Sequence, residues 1–304
     1  MPKILDCTLR DGGYINNWNF DTSNAKNIIR LLQKANIDYI EIGFYHHKLN
    51  KIIPEDSSNI FAMIEYSKTK IENIPPFEKS KIKNLRIIFK KHNANDALEY
   101  CKKIKNLGYN VFINATFINQ YSEIEFIELI NKINDINPEA FTVTDSMGVF
   151  TSKDIKEIYN IIKSELNSNI ALCFHSHNNL GLSLSNAKTL IEINKTRELI
   201  IDSCLFGMGR GAGNVKTEEL AKYLNNQQYN INFLYEAIEK YIKPIYEKTP
   251  WGHSIAYYLS AIYGCHPNYA LDIIKKKIQP KEMNEIFSSI PNDKKYIYDS
   301  ELLS

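Results

Sequence analysis

The stretch Ile170-Ala171-Leu172-Cys173-Phe174-His175-Ser176-His177-Asn178-Asn179 decides the fold. It opens on an unbroken apolar run, the mark of a strand buried on both faces, and turns abruptly polar at its end. Helical apolar spacing follows over 182–193, so the segment is one strand–helix unit. On a strand, residues two apart share a face. His175 and His177 therefore point the same way and can grip one ion.

The same unit recurs along the chain. Strands are expected over 3–9, 39–44, 60–66, 85–89, 110–117, 140–144, 170–175 and 199–205. Helices are expected over 22–35, 94–107, 122–136, 152–166, 182–193 and from 217 to 224. Thr22 or Ser23 and Ser122 are suited to N-capping, and Gly108 to closing the helix before it. Alternation of this kind argues for a parallel sheet, and eight units argue for an α/β (β/α)8 barrel. A doubly wound open sheet is the rival, but no Gly-rich dinucleotide fingerprint follows the first strand.

In a barrel, chemistry gathers at the C-terminal ends of the strands. Here those ends are Arg10-Asp11, Glu41 to His47, Lys90 to Asn93, Asn114 to Thr116, Thr144-Asp145-Ser146, His175 to Asn179 and Gly207 to Asn214. Asp11 supplies the carboxylate that two imidazoles usually need as a third ligand. One anionic oxygen and two neutral nitrogens would hold a divalent cation with positions left open. Arg10, next in the chain, could face the same bound oxygen. A cation and a guanidinium aimed at a ketone would stabilise an enolate. No phosphate loop, nucleophile elbow or Cys–His pairing competes with this.

The bulk numbers are those of a soluble globular protein of 304 residues, 44% hydrophobic and 24% charged, with net charge +2. That balance gives no case for nucleic acid, and Lys275-Lys276-Lys277 reads as a solvated helix face. No apolar run approaches the roughly 18–20 residues that cross a bilayer. The start of the chain lacks the pattern of a signal peptide. Five cysteines, an odd number with three in strand-like runs, read as reduced thiols of a cytoplasmic protein.

Residues 1–230 are read as the barrel and 231–304 as a helical extension that could fold over its mouth. In the extension, 233–248 is helical with a break at Pro244, 257–263 and 269–278 are helical, and 264–268 join them. Its many tyrosines suit stacking on a partner or a second subunit. The last dozen residues are polar and read as a fraying end.

Thr8-Leu9-Arg10-Asp11-Gly12, His175-Ser176-His177-Asn178-Asn179-Leu180 and Gly207-Met208-Gly209-Arg210-Gly211-Ala212-Gly213-Asn214 resemble the signatures of the DRE-TIM metallolyases. That superfamily includes 4-hydroxy-2-oxoacid aldolases, 3-hydroxy-3-methylglutaryl-CoA lyases and isopropylmalate-type synthases. The aldolase branch is the most similar. The resemblance implies cleavage of a 4-hydroxy-2-oxo acid to pyruvate and an aldehyde, or the reverse. It implies Mn2+ or Mg2+ (Zn2+ or Co2+ as alternatives) held by Asp11, His175 and His177, with Asn214 a further ligand. It also implies that Arg10 steadies the enolate and that Glu41, Thr116, Asp145 and Ser146 lie at or near the substrate.

Two departures bear on the reaction. The aldolase branch has a His base three residues after the metal Asp, where this chain has Tyr14. The base is then Tyr14 with a lowered pKa, or His266, His253, His46 or His47, with His266 favoured for its place in the extension. The lyase branch has a Cys in its Gly-rich loop, and residues 207–214 contain none. A Claisen-type synthase is a second reading, although synthases usually have an acidic residue where Gly13 stands. A barrel that binds metal and oxo acid without turnover is a third. Related aldolases pass aldehyde to a dehydrogenase through their C-terminal region, which the tail here matches poorly.

Overall fold

The computed structural model describes residues 1–224 and 227–303, apart from the side chains of residues 47 and 48. Eight parallel strands close into a barrel in sequence order: β1 (Lys3–Asp6), β2 (Tyr39–Phe44), β3 (Ile60–Glu65), β4 (Asn84–Phe89), β5 (Asn110–Ala115), β6 (Ala140–Asp145), β7 (Ala171–Ser176) and β8 (Leu199–Ser203). Closure is made by β1 against β8, where Leu5 pairs with Asp202 and Asp6 with Ser203. Lys3 to Asp6 are almost wholly paired on that side, so no sheet edge is left open.

A single turn, α1 (Gly13–Asn16), and helix α2 (Thr22–Lys34) follow β1; α3 (Ala94–Asn106), α4 (Glu123–Ile136), α5 (Ser152–Glu165), α6 (Ser183–Ile193) and α7 (Thr217–Leu224) follow β4 to β8. Each long helix buries one stripe. In α2 that stripe is Ala25, Ile28, Ile29, Leu31 and Leu32, packed on the outside of the barrel. Capping matches the sequence signal at α4, where Ser122 and Glu125 form a reciprocal box; Thr151 and Asp154 form another at α5, each cap contributing about 1 kcal/mol. At α2 the cap is not Thr22 or Ser23 but Asp21, whose carboxylate accepts the amides of Ser23 and Asn24. The β2–β3 and β3–β4 connections carry only short 3-10 turns.

Three expectations are revised. The first strand ends at Asp6, not at residue 9. Its carboxylate accepts the Thr8 amide at 2.9 Å and the Thr217 hydroxyl at 2.6 Å, which turns the chain early. The break at Pro244 is softened by a π turn over Ile238–Ile242, so helix continues from α8 (Ile231–Ala237) to α9 (Lys243–Tyr246). The wider turn accommodates a residue with no N–H to give. The final residues are also packed. Leu303 is buried, and the Tyr269 hydroxyl donates to the carbonyls of Lys294 and Ile297.

Leu234, Ala237 and Ile242 join the barrel's own core. From Ala256 onward, α10 (Ile255–Ile262), α11 (Pro267–Lys275) and α12 (Pro280–Ser289) build a second small core around Tyr269, Ile273 and Phe287. Among the described residues no helix is long and apolar enough to cross a membrane.

Candidate active site and metal centre

After the early turn at Asp6, the amides of Arg10 and Asp11 both reach the carbonyl of Cys7, at 3.0 and 2.7 Å. This wraps Arg10 and Asp11 over the barrel's C-terminal mouth. Two strands round the barrel, past β8, β7 delivers His175, and His177 follows just past the strand, pairing in a short antiparallel bridge with Asn214. The two imidazole rings lie 5.0 Å apart, nearly perpendicular. Asp11, His175 and His177 thus offer ligand atoms that all lie within 4.8 Å of one another.

The donor set fits a divalent cation. His175 has its Nδ1 bound to Asp202 at 2.9 Å, which leaves Nε2 for an ion. Among the described residues, His177 Nδ1, Arg10 Nη2 and Asn214 Oδ1 have no hydrogen-bond partner, and all three are buried. Buried polar atoms are seldom left so, and three at one mouth mark a place built for a guest. Cys7, His175 and Asp202 form a second cluster of the same reach. There Asp202 is taken by Arg86, and burial pushes the Cys7 thiol well up, so no thiolate is on offer.

Behind the ligands runs a chain of buried charge. Arg10 donates to Asp11 at 2.6 Å and to Glu41 at 2.5 Å. Arg86 donates to Glu41 at 2.8 and 2.9 Å and to Asp202 at 2.5 Å. Asp202 then holds His175, so the two flanks of the ion site are joined through Arg10, Glu41, Arg86 and Asp202. Burial opposes the charge on Asp11, but Arg10 and the two imidazoles outweigh it and hold the carboxyl below its usual range. Burial likewise opposes the charge on Arg10, and Glu41 and Asp11 outweigh it, keeping the guanidinium firmly protonated. His177 is pushed down to about 4, first by burial and then by its cationic neighbours, although Asp11 pulls the other way. A neutral imidazole is the form that binds metal.

The Gly-rich loop is shaped by this contact. Asn214 Nδ2 donates to Asp11 Oδ2 at 2.6 Å. A Cβ on Gly209 would lie 2.0 Å from that nitrogen, so only glycine lets the two side chains meet.

These residues face a cavity of about 430 Å3 whose walls include Arg10, Asp11, Tyr14, Asn114, Thr116, Ser146, His175, His177 and Arg210. Thr116 and Ser146 therefore reach the space; the Thr116 hydroxyl donates to the Phe89 carbonyl, and Ser146 Oγ accepts the Phe117 amide. Glu41 and Asp145 do not line it. Glu41 is fully enclosed between the two arginines. Asp145 accepts the amides of Val149 and Phe150 and is pushed up to about 7 by burial. Both carboxylates hold structure behind the site.

The candidate bases are also placed. Tyr14 lines the cavity but is 43% exposed, and burial of its phenol together with the charge of Asp11 raises its pKa. His266 caps α11 by accepting the Asn268 amide, stacks on Phe117 and meets Arg210. The extension thus reaches the mouth, but His266 stands one layer out, and burial and Arg210 push it down to about 3. His253 is exposed beside Tyr258 and does not line the cavity, His46 lines a separate groove, and the His47 side chain lies outside the described residues.

Sequence reasoning missed Arg86 and Asp202. Their signal is a lone charge inside an apolar strand, in Leu85-Arg86-Ile87 and Ile200-Ile201-Asp202. A charge there has to be paired and hydrogen-bonded.

Comparison with known proteins agrees with this geometry. A 4-hydroxy-2-oxovalerate aldolase of Roseiflexus is 26% identical over 273 residues, covering 82% of this chain and 79% of that protein. One from Bacillus cereus is 25% identical over 256 residues, covering 78% and 74%. Among solved structures, the N-terminal domain of a candidate aldolase from Bacteroides vulgatus superposes with a TM-score of 0.80 at 29% identity, covering 90% of this chain and 96% of that one. The HMG-CoA lyase of Brucella melitensis shares the fold, with a TM-score of 0.67 at 14% identity over 81% of this chain and 99% of its own. The HMGL-like family model matches residues 77–242, more than half of the 304-residue chain. By that match, on a barrel that brings the DRE-TIM motifs together at one mouth, the chain belongs to the HMGL-like family.

Proposed function

We propose that the protein is a divalent-cation-dependent carbon–carbon lyase that cleaves a 4-hydroxy-2-oxo acid to pyruvate and an aldehyde, or joins the two. The observation that carries this reading is the convergence of Asp11, His175 and His177 on one cavity with the unpartnered Nη2 of Arg10. Asp11, His175 and His177 would hold Mn2+ or Mg2+, with Asn214 Oδ1 available as a further donor. When bound, the cation supplies Lewis-acid polarisation of the substrate ketone.

The chain's own groups account for the rest. Arg10, clamped through Nε and Nη1, has Nη2 free to donate to the ketone oxygen as it gains charge. Such a preorganised donor lowers a barrier by about 3–4 kcal/mol. As the 4-hydroxyl proton leaves to a base, the C3–C4 electron pair moves into the C2–C3 bond, the aldehyde departs and the pyruvate enolate remains. A proton returned to C3 completes pyruvate. Tyr14, with its phenol held protonated, is suited to give that proton.

The test is pyruvate release from 4-hydroxy-2-oxo acids, followed with lactate dehydrogenase and NADH, with Mn2+ and with EDTA. Metal-dependent release without free thiol from any acyl-CoA supports the lyase. Thiol release from an acyl-CoA and a 2-oxo acid would replace it with a Claisen-type synthase.

A further inference from the structure

The cavity wall carries two carboxylates, Asp11 and Glu65, and four permanent cations, Arg10, Lys68, Lys90 and Arg210. Asp11 is paired with Arg10 at 2.6 Å and Glu65 with Lys68 at 2.9 Å. Among the described residues, no carboxylate is left within ion-pair reach of Lys90 or Arg210. Arg210 instead rests on neutral groups, donating to Asn268 Oδ1 at 2.8 Å and lying 3.2 Å from His266 Nε2. Those partners come from the C-terminal extension, which fixes the guanidinium without neutralising it. Lys90 follows Phe89, whose carbonyl accepts the Thr116 amide at 3.0 Å, and the residue after Thr116, Phe117, stacks on the His266 ring that Arg210 meets. Lys90 and Arg210 thus approach the same side of the cavity that both line.

The 2-oxo acid end of a substrate already has its partners in Arg10 and the ion site. An excess of two unpaired cations elsewhere in the same cavity has no use for a small neutral aldehyde. Resting on the lyase reading above, we infer that Arg210 and Lys90 form a second anion subsite, which selects a substrate whose aldehyde fragment ends in a carboxylate or phosphate. The extension then sets specificity, because His266 and Asn268 aim Arg210.

The experiment measures kcat/KM for condensation with pyruvate, using paired aldehydes: succinic semialdehyde against butanal, and glyceraldehyde 3-phosphate against glyceraldehyde. The wild type is expected to prefer one charged member at least about tenfold, the scale of a close charge pair at a partly exposed site. The pair that shows the preference tells carboxylate from phosphate. In Arg210→Gln/Lys90→Gln the ratio should fall to near unity; since it compares two substrates in one variant, any general loss divides out. Equal use of charged and neutral aldehydes by the wild type, or a preference that survives both replacements, overturns the subsite. Failure of the lyase reading shows separately, as absent exchange of pyruvate methyl protons in the wild type. If no aldehyde is turned over, isothermal titration with succinate and with inorganic phosphate decides. Binding lost in the double variant keeps the subsite, and no binding to the wild type removes it.

Discussion

The carboxylate of Asp202 lies 2.9 Å from Nδ1 of His175 while Arg86 holds its Oδ2 at 2.5 Å. It thereby sets the tautomer of an imidazole proposed to bind the ion, and it is itself kept ionised against burial by Arg86. Asp202→Asn keeps the shape but removes the charge that orients His175. Mn2+ affinity, read by isothermal titration, should fall about 10–100-fold. Unchanged affinity would show that His175 needs no such support.

Gly209 permits the approach of Asn214 to Asp11. A methyl group there would lie 2.0 Å from Asn214 Nδ2 and 2.8 Å from Asp11 Oδ2. Gly209→Ala should therefore destabilise the protein by about 1–3 kcal/mol as an overpacked site and reduce turnover more than the shift in Tm alone accounts for. Wild-type turnover in that variant would mean that the Asn214–Asp11 contact is dispensable.

The convergence of Asp11, His175 and His177 was legible in the sequence because their motifs carry their own period and punctuation. His175 and His177 sit two apart at the end of an apolar run, and Asp11 follows a strand and precedes glycines. Eight strands, six of them followed by helices, likewise announced the barrel. What escaped was long-range pairing. Nothing local ties Arg86 to Glu41, 45 positions away, or to Asp202, 116 away. Glu41 and Asp145 were expected at or near the substrate because they stand at strand ends; end position does not say that Glu41 would grip Arg10 from behind or that Asp145 would hold the amides of Val149 and Phe150. The end of β1 was misjudged for a related reason: Asp6 turns the chain through Thr217, 211 residues distant.

His266 gives a pH dependence to stability. Its folded pKa, about 3, lies below the ordinary 6.5 because of burial and the facing charges of Arg210 and Lys90. Below about pH 6.5 the unfolded chain takes a proton that the folded one refuses, so this contribution is present above that pH and is lost as pH falls toward 3. His266→Gln should gain stability relative to wild type between pH 6.5 and 4, measured as the difference in Tm. A difference that stays constant over that range would contradict the assignment.

Tyr14 should act as a proton donor, not as a phenolate. With its pKa raised, it contributes no ionisation to the rate between pH 6 and 9. Tyr14→Phe should lower kcat by about 100-fold while leaving the shape of the pH–rate profile unchanged. Loss of the ascending limb, on which the rate rises with pH, in the variant would instead identify Tyr14 as the titrating base.

The central claim is that Asp11, His175 and His177 make a bound 2-oxo acid easier to enolise. Incorporation of deuterium into the methyl group of pyruvate in D2O, read by mass spectrometry, tests it most directly. The wild type should exchange with Mn2+ and stop with EDTA, and Asp11→Asn should not exchange under either condition. Exchange that persists in EDTA, or at the wild-type rate in Asp11→Asn, would contradict it.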